Sequence, residues 1–398
     1  MTLVSVETAR AAMLARLRPL ALECVDLAGA VGRILGEDVH ATRPQPPFDA
    51  SAMDGWAVTA ASTPGALRIV GESAAGHGFE RTVEPDQSVR IFTGAAVPPD
   101  ADAVVILEDA RREGEIVIVG SVKAGDNIRP TGQDFRKGDL LLRRGSRLDP
   151  WRLALAAAAG LATLQLSRRP KVAILATGEE VVPPGTRAGP FQIFNSGSVV
   201  LAALVRAWGG EALNLDIAGD SIESIAAAAK VPCDVLVTMG GASVGDHDLV
   251  KPALSRDLGL SLIVDGVNLR PGKPTWFGRL GDGAWVVGLP GNPASALVCA
   301  ELFLKPILMT LQGADSRPRT IPVRLLAPLK ANGPREYWMR ARLSSSADGA
   351  LMADPFPDQD SSLVTVFAEA DALLRRPARA GPSPAGSLAE VLMLERLR

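Results

Sequence analysis

The middle of the chain alternates two kinds of segment, and that alternation leaves few folds open to it. "KVAILATGEE" from Lys171, "ALNLDIAGDS" from Ala212, "DVLVTMGGASVGDHD" from Asp234, "LSLIVDG" from Leu260 and "AWVVGLPGNPASALVCAELFL" from Ala284 each open on an apolar run of strand length. A strand with one wet face alternates polar and apolar residues; these runs do not alternate, so both of their faces must be covered. Between them lie helical stretches: Asn195–Gly210 with Asn195 or Ser196 as cap, Ser221–Lys230, and a helix near Leu249–Asp257. Strand and helix in turn predict a parallel sheet packed between helices over residues 171–317. Asn292 and Pro293 mark another helix entry, a cap followed by proline in the first turn.

The flanks read differently. Ser5–Arg18 has helical spacing, and "ATRPQPPFD" (Ala41–Asp49) carries three prolines, which exclude helix or central strand. From there to about Asp139 the segments are short and β-like. A second helical stretch, Pro150–Leu161, follows, and the alanine-rich run Leu153–Leu166 reads as a buried helix, too short to span a bilayer. The expected units are an elongated helical segment (1–42 and 140–170), an inserted β-rich domain (43–139), the central α/β domain (171–317) and a C-terminal β domain (318–398). In the last of these "LVTVFAEADALLRR" is read as β.

At 398 residues the chain is too long for one ordinary core. Apolar residues make up 47% and charged residues 22%, with 42 basic against 44 acidic side chains, so no basic stripe points to nucleic acid or a membrane surface. Cys24, Cys233 and Cys299 are odd in number and far apart, which argues for small core residues in a reducing cytoplasm. His40 and His77 have no partner at ligand spacing, and His247 lies between acids in a solvated loop.

Ligands of open parallel sheets bind beyond the carboxyl ends of the strands. Four successive strand ends here carry unusual chemistry: Thr177–Gly178–Glu179–Glu180, Gly219–Asp220–Ser221, the run Gly240–Gly241–Ala242–Ser243–Val244–Gly245–Asp246–His247–Asp248, and Gly288–Leu289–Pro290–Gly291–Asn292–Pro293. Glycines let backbone N–H groups approach an anion, and the following helix offers its positive end. The acids need a separate account. Two carboxylates about 4 Å apart repel by roughly 4 kcal/mol at an effective dielectric near 20, and phosphate worsens this unless a cation intervenes. Mg²⁺ binds through one or two carboxylates plus substrate phosphates, so the edge is read as a site for a phosphorylated ligand with Mg²⁺. "LRPGKP" adds Arg270 and Lys273 but is no P-loop, since proline follows the lysine; "GGASVG" lacks the dinucleotide spacing. One loop at a time, turns and helix caps explain these residues equally well.

A second constellation lies in the inserted domain. "FDASAMDGWAV" sets Asp49, Ser51 and Asp54 around a Met-Asp-Gly turn, "TGAAVP" contributes Thr93, and "NIRPTGQD" contributes Arg129 and Asp134.

Taken in order, "PPFDASAMDGWAV", "IFTGAAVP", "NIRPTGQDF", "ILATGEEV", "FNSGSVVLAALV", "TMGGASVGDHD", "RPGKPTWFG" and "GLPGNPASAL" resemble the molybdopterin molybdenumtransferase (MoeA) family, which includes the gephyrin and Cnx1 E-domains. The resemblance implies a homodimer whose cleft joins the central domain of one subunit to the inserted domain of the other. It implies a transferase that takes adenylylated molybdopterin and molybdate, inserts the metal at the dithiolene sulfurs and releases AMP with Mg²⁺. By motif position the catalytic residues would be Asp54, Thr93, Asp134, Glu180, Asp220 and Asp248, with Asp220 and Asp248 holding the metal. Substrate would be bound by Arg129, Thr177, Gly240, Gly241, Ser243, Gly245, Arg270, Lys273, Pro290 and Pro293, and by Arg340 and Ser361 in the C-terminal domain. The family's lysine four residues before Arg270 is Gly266 here, and the acid expected beside Asp134 is Gln133. Transient contact with an adenylyltransferase and with recipient molybdoenzymes also follows from the resemblance. A sister reaction, adenylylation of molybdopterin from ATP, normally lacks the inserted domain. A silent scaffold is disfavoured by intact Asp54, Asp220 and Asp248.

Overall fold

The computed structural model describes residues 3–240 and 249–395. In the middle of the chain a six-stranded sheet runs in the order Glu211–Asn214, Lys171–Ala176, Val235–Met239, Trp285–Leu289, Trp276–Arg279, Ser261–Asp265. The first four are mutually parallel. Trp276–Arg279 is antiparallel to both of its neighbours, so the sheet is mixed rather than wholly parallel. The sequence hides this strand because it returns from Asp265 after a short loop, leaving no room for the helix that a parallel crossover needs.

Both faces of the inner parallel strands Lys171–Ala176, Val235–Met239 and Trp285–Leu289 are buried, which is why these carry no polar alternation, while the outer strands Glu211–Asn214 and Ser261–Asp265 are partly exposed. Val172, Ile174, Val235, Val237, Val287 and Leu289 pack on one side with Leu201 and Val205 of the helix Ser196–Ala207 and with Leu302–Leu308. Ala173, Leu175, Leu236 and Val286 pack on the other, against Ile225 of the helix Ile222–Ala229 and Leu254 of Val250–Leu258. The caps follow from the sequence: Asn195 accepts from the Ser198 amide at 3.0 Å and Ser221 from the Ser224 amide at 3.1 Å. The run Pro293–Leu311 is long and apolar enough to cross a membrane, yet its most apolar window is 83% buried inside the protein, as befits a core helix.

The N-terminal helix Val6–Leu14 buries Val6, Ala9 and Met13 in the same core, against Val267 and Leu311, and not in a helical segment of its own. The segment near it is mostly strand. Leu22–Asp26 pairs with Thr163–Ser167, and Val39–His40 with Leu140–Leu142. The expected helix over Leu153–Leu166 ends early: Pro150–Ala158 is helical, Gly160 turns the chain at φ 81°, and Thr163–Ser167 continues as strand. That φ favours glycine, and glycine is what stands there.

The inserted region builds a six-stranded sheet ordered Ala103–Ile106, Gly55–Val58, Gln87–Ile91, Gly65–Ser73, Ile116–Val119, Ala110–Glu113. At the C-terminus, Glu336–Ser345 pairs with both Leu351–Pro355 and Ala372–Arg376. Thr320–Leu325 pairs with Leu351–Pro355 and Leu388–Met393, and Leu388–Met393 with Ala372–Arg376. These pairings close a five-stranded barrel. The stretch read as continuous β before it contains a short helix, Val364–Glu369, ahead of Ala372–Arg376.

Candidate active site

Three loops at the carboxyl edge of the central sheet meet backbone to backbone. Gly240 ends its strand at φ 92°, and a Cβ there would lie 2.8 Å from both the carbonyl oxygen and Oγ1 of Thr177. A Cβ on Gly291 would in turn come within 3.4 Å of the Gly240 Cα. Thr177 is buried, and its amide donates to the Met239 carbonyl at 3.0 Å. At Gly240 the bareness is therefore steric: a side chain there would strike Thr177. The helix Pro293–Cys299 begins just beyond this junction.

The fourth loop lies beside them. The Gly178 amide donates to the Ala218 carbonyl at 3.3 Å, and the Glu179 amide to Asp220 Oδ2 at 3.3 Å. The Glu180 carboxylate folds over Gly178. Asp220, Glu179 and Glu180 are all exposed, and a cavity of about 340 Å³ opens between Gly178, Glu179, Asp216 and Gly219. Asp248, Gly241, Ser243, Gly245 and His247 lie outside the described residues. Among the described residues no three His, Cys, Asp or Glu side chains converge on one point. The exposed Asp220 carboxylate is the kind of oxygen donor that a hard ion such as Mg²⁺ takes when substrate phosphate and water supply its other ligands.

Arg270 and Lys273 sit in the loop after Asp265. Ser261–Asp265 points the same way as the four parallel strands, so this loop emerges at the same edge. Both cations are exposed, and neither has a carboxylate partner among the described residues. Gly266 is buried, at φ 95°, where a lysine side chain would be strained. A basic residue that sequence reasoning passed over also stands here: Lys251, whose Nζ lies 2.9 Å from Asp265 Oδ1.

Two C-terminal residues reach this edge through a relay. The Asn292 amide group donates to Ser361 Oγ at 2.8 Å, and the Ala294 amide to the Ser361 carbonyl at 3.1 Å. Asn292 therefore spends its side chain on Ser361 and makes no side-chain cap. Arg340 is only 1% exposed and lies beneath that loop. Its Nε donates to Gln359 Oε1 at 3.1 Å and its Nη1 to the Asp360 carbonyl at 3.0 Å, while Nη2 is buried without a partner among the described residues. Burial lowers its pKa from the ordinary arginine value.

The inserted-domain residues form a separate group. Asp54 Oδ1 accepts from the Thr93 amide at 2.7 Å and from its hydroxyl at 2.9 Å. These bonds, the backbone one foremost, hold the Asp54 carboxyl below its usual range, with Arg90 contributing. A second pair of the same design, made by residues far apart along the chain, joins Asp49 Oδ1 to the Thr131 amide at 2.7 Å and hydroxyl at 2.8 Å. A cavity of about 550 Å³ is lined by Pro46, Phe48, Gly94, Arg129, Gln133 and Asp134. No hydrogen bond or ion pair among the described residues joins this group to the central edge.

Residues 4–160 match the MoeA N-terminal region (domain I and II), 173–310 a probable molybdopterin binding domain, and 322–394 the MoeA C-terminal region (domain IV). The chain is 34% identical over 388 residues to a molybdopterin molybdenumtransferase of Bacillus subtilis, covering 94% of this chain and 90% of that one. It is 36% identical to molybdopterin molybdenumtransferase 2 of Mycobacterium tuberculosis, covering 87% and 88%. A solved molybdopterin biosynthesis moea protein from Pyrococcus horikosii superposes with a TM-score of 0.85 at 30% identity, over 100% of both chains. The chain belongs to the molybdopterin molybdenumtransferase family, enzymes of molybdenum cofactor biosynthesis.

Proposed function

We propose that the chain takes adenylylated molybdopterin and molybdate at the carboxyl edge of its central sheet, transfers molybdenum to the dithiolene sulfurs and releases AMP. One observation carries this reading: the Gly240 and Gly291 backbones meet Thr177 in close contact, with the exposed carboxylates of Glu179, Glu180 and Asp220 on the neighbouring loops. Thr177 and the amides of Gly240, Gly241 and Gly245, with Ser243, would bind the phosphates. Pro290 and Pro293 fix the approach of the last helix. Arg270 and Lys273 would meet oxyanion charge. Asp220 and Asp248 would hold Mg²⁺ and Glu180 would orient water. Bound there, Mg²⁺ offsets charge between the acids and the phosphoanhydride. Ser361 and Arg340 act through Asn292, setting the last loop.

The inserted-domain group would complete the cleft from a second copy of the chain, with Asp54, Thr93, Arg129 and Asp134 facing the substrate across the dimer. Among the described residues no bond joins the two groups within one chain, as a cleft shared between two copies would have it. Phe191, Ile193 and Phe194, which stand 90%, 59% and 50% exposed beside the Glu179–Glu180 loop, favour this arrangement. Working units of 1–42 with 140–170, 43–139, 171–317 and 318–398, acting in a reducing cytoplasm, complete the reading. Hand-over from an adenylyltransferase and on to recipient molybdoenzymes would be by transient contact.

The test is AMP release from adenylylated molybdopterin by purified protein. Release that requires molybdate and a divalent ion supports the reading. Release without molybdate, or undiminished by Asp220→Asn, overturns it, and consumption of ATP would favour the adenylylating reaction. Light scattering should give twice the chain mass; a monomer removes the shared cleft.

A further inference from the structure

Arg270 is an exposed cation at the edge with no carboxylate to hold it among the described residues. It makes no hydrogen bond or ion pair among the described residues, yet its Cζ stands 4.4 Å from the centre of the Tyr337 ring. The backbone makes this pairing. Leu269–Arg270 adds to the barrel as a short parallel strand with Arg270 opposite Tyr337, the arrangement in which side chains on neighbouring strands meet. Tyr337 is itself fixed, half-buried on Glu336–Ser345 and opposite Arg376 on its other side.

We propose that Tyr337 is a positioning residue that holds the Arg270 guanidinium as a pre-oriented fork for a tetrahedral oxyanion, molybdate or phosphate, at the carboxyl edge. The inference rests on the reading of Arg270 as an oxyanion contact and adds what makes one arginine sufficient. A carboxylate partner would fix the guanidinium by consuming its N–H donors. An aromatic face fixes its plane and leaves all five donors free. A free arginine would pay rotamer entropy on meeting its ligand; a stacked one has already paid. Planar, bidentate geometry suits tetrahedral oxyanions better than the point charge of a lysine. This chain also has reason to use such a device, because Gly266, buried at positive φ, offers no cation of its own.

The experiment titrates the full-length protein separately with sodium molybdate and with AMP, by calorimetry. Tyr337→Phe keeps the ring and should bind both within about twofold of the parent. Tyr337→Leu removes the face and should weaken at least one oxyanion by about threefold to tenfold. The oxyanion that weakens identifies which group the fork grips. In an Arg270→Lys background Tyr337→Leu should add less than about twofold, since a lysine gains little from a held plane. Tyr337 is the single tyrosine of the chain, so ring-labelled protein gives one tyrosine signal by NMR. That signal should move on adding the gripped oxyanion, and should not move in Arg270→Ala. If Tyr337→Leu binds both ligands like the parent while Arg270→Ala binds weakly, the positioning role falls and the site reading survives. If Arg270→Ala also binds both like the parent, the reading of Arg270 itself falls.

Discussion

The two acidic groups use their carboxylates in opposite ways. In the inserted domain Asp54 and Asp49 each spend one oxygen on the amide and hydroxyl of a threonine far along the chain, Thr93 and Thr131. Each ties two loops together, and only the second oxygen is left for anything else. At the central edge Asp220 makes one long bond among the described residues, 3.3 Å to the Glu179 amide, and the loops there are tied by backbone contact instead. A group that builds its own loop is poorly placed to change partners. A carboxylate on a loop already fixed by glycine contacts is free to bind and release an ion. The difference predicts that the two groups will fail differently when their acids are neutralised.

The largest effect should come from Asp220→Asn. It removes a charge the fold does not need, so metal-dependent turnover should fall by about a hundredfold or more while the thermal midpoint stays within about 1 °C of the parent. A loss of stability matching the loss of activity would erase the contrast. Arg340→Leu should do the reverse. It deletes the guanidinium's bonds to Gln359 and to the Asp360 carbonyl beneath the Ser361 loop, two bonds from a charged donor, at a cost of about 2–3 kcal/mol. Denaturant unfolding should register that cost directly, and the Ser361–Asn292 contact should loosen with it. Should stability hold and only substrate affinity fall, Arg340 touches substrate after all.

Gly240→Ala sharpens the comparison from the backbone side. A methyl group there needs space held by Thr177 at 2.8 Å and a φ of 92° that alanine resists. The expected cost is about 1–3 kcal/mol, with the three loops displaced. The same change at Gly94, whose Cβ would meet nothing within 4 Å, should cost only the backbone term at φ 82°, about 1–2 kcal/mol. Equal costs would mean that the packing of loop against loop adds nothing.

How far the sequence reveals these features depends on whether their cause is local. The central strands and the Asn195 and Ser221 caps were legible because continuous apolar runs and capping residues act over a few positions. The contact of Thr177, Gly240 and Gly291 was legible only as glycines at strand ends, and the acids of Glu179, Glu180 and Asp220 as their neighbours. Trp276–Arg279 was missed because a short antiparallel return carries no helix to announce it. The helix Val364–Glu369 was missed because "LVTVF" is rich in the β-branched and aromatic residues that strands favour. Asp49 with Thr131, Lys251 with Asp265, and the burial of Arg340 are products of tertiary contact between distant positions. The sequence shows such residues and not their partners. Arg340 could be proposed from its motif, but nothing local marks it as a support beneath the surface.

The smallest effect separates the two oxygens of Asp54. Its carboxyl is held below the usual range by the two bonds from Thr93. A depressed folded-state pKa means that this loop tie is fully present above the unfolded value and is lost as pH falls through the lowered one. Asparagine at that position keeps an oxygen that accepts from the Thr93 amide and hydroxyl but carries no charge to titrate. In Asp54→Asn, exchange of the Thr93 amide proton should therefore remain slow at neutral pH. Its acceleration at acid pH, expected in the parent once the chemical exchange rate is corrected for, should disappear. Activity should still fall, because the second oxygen has lost its charge. If exchange at Thr93 is fast in this variant at every pH, the charge rather than the hydrogen bonds holds the two loops together. Asp54 would then differ from Asp220 in its partners but not in the kind of force it supplies.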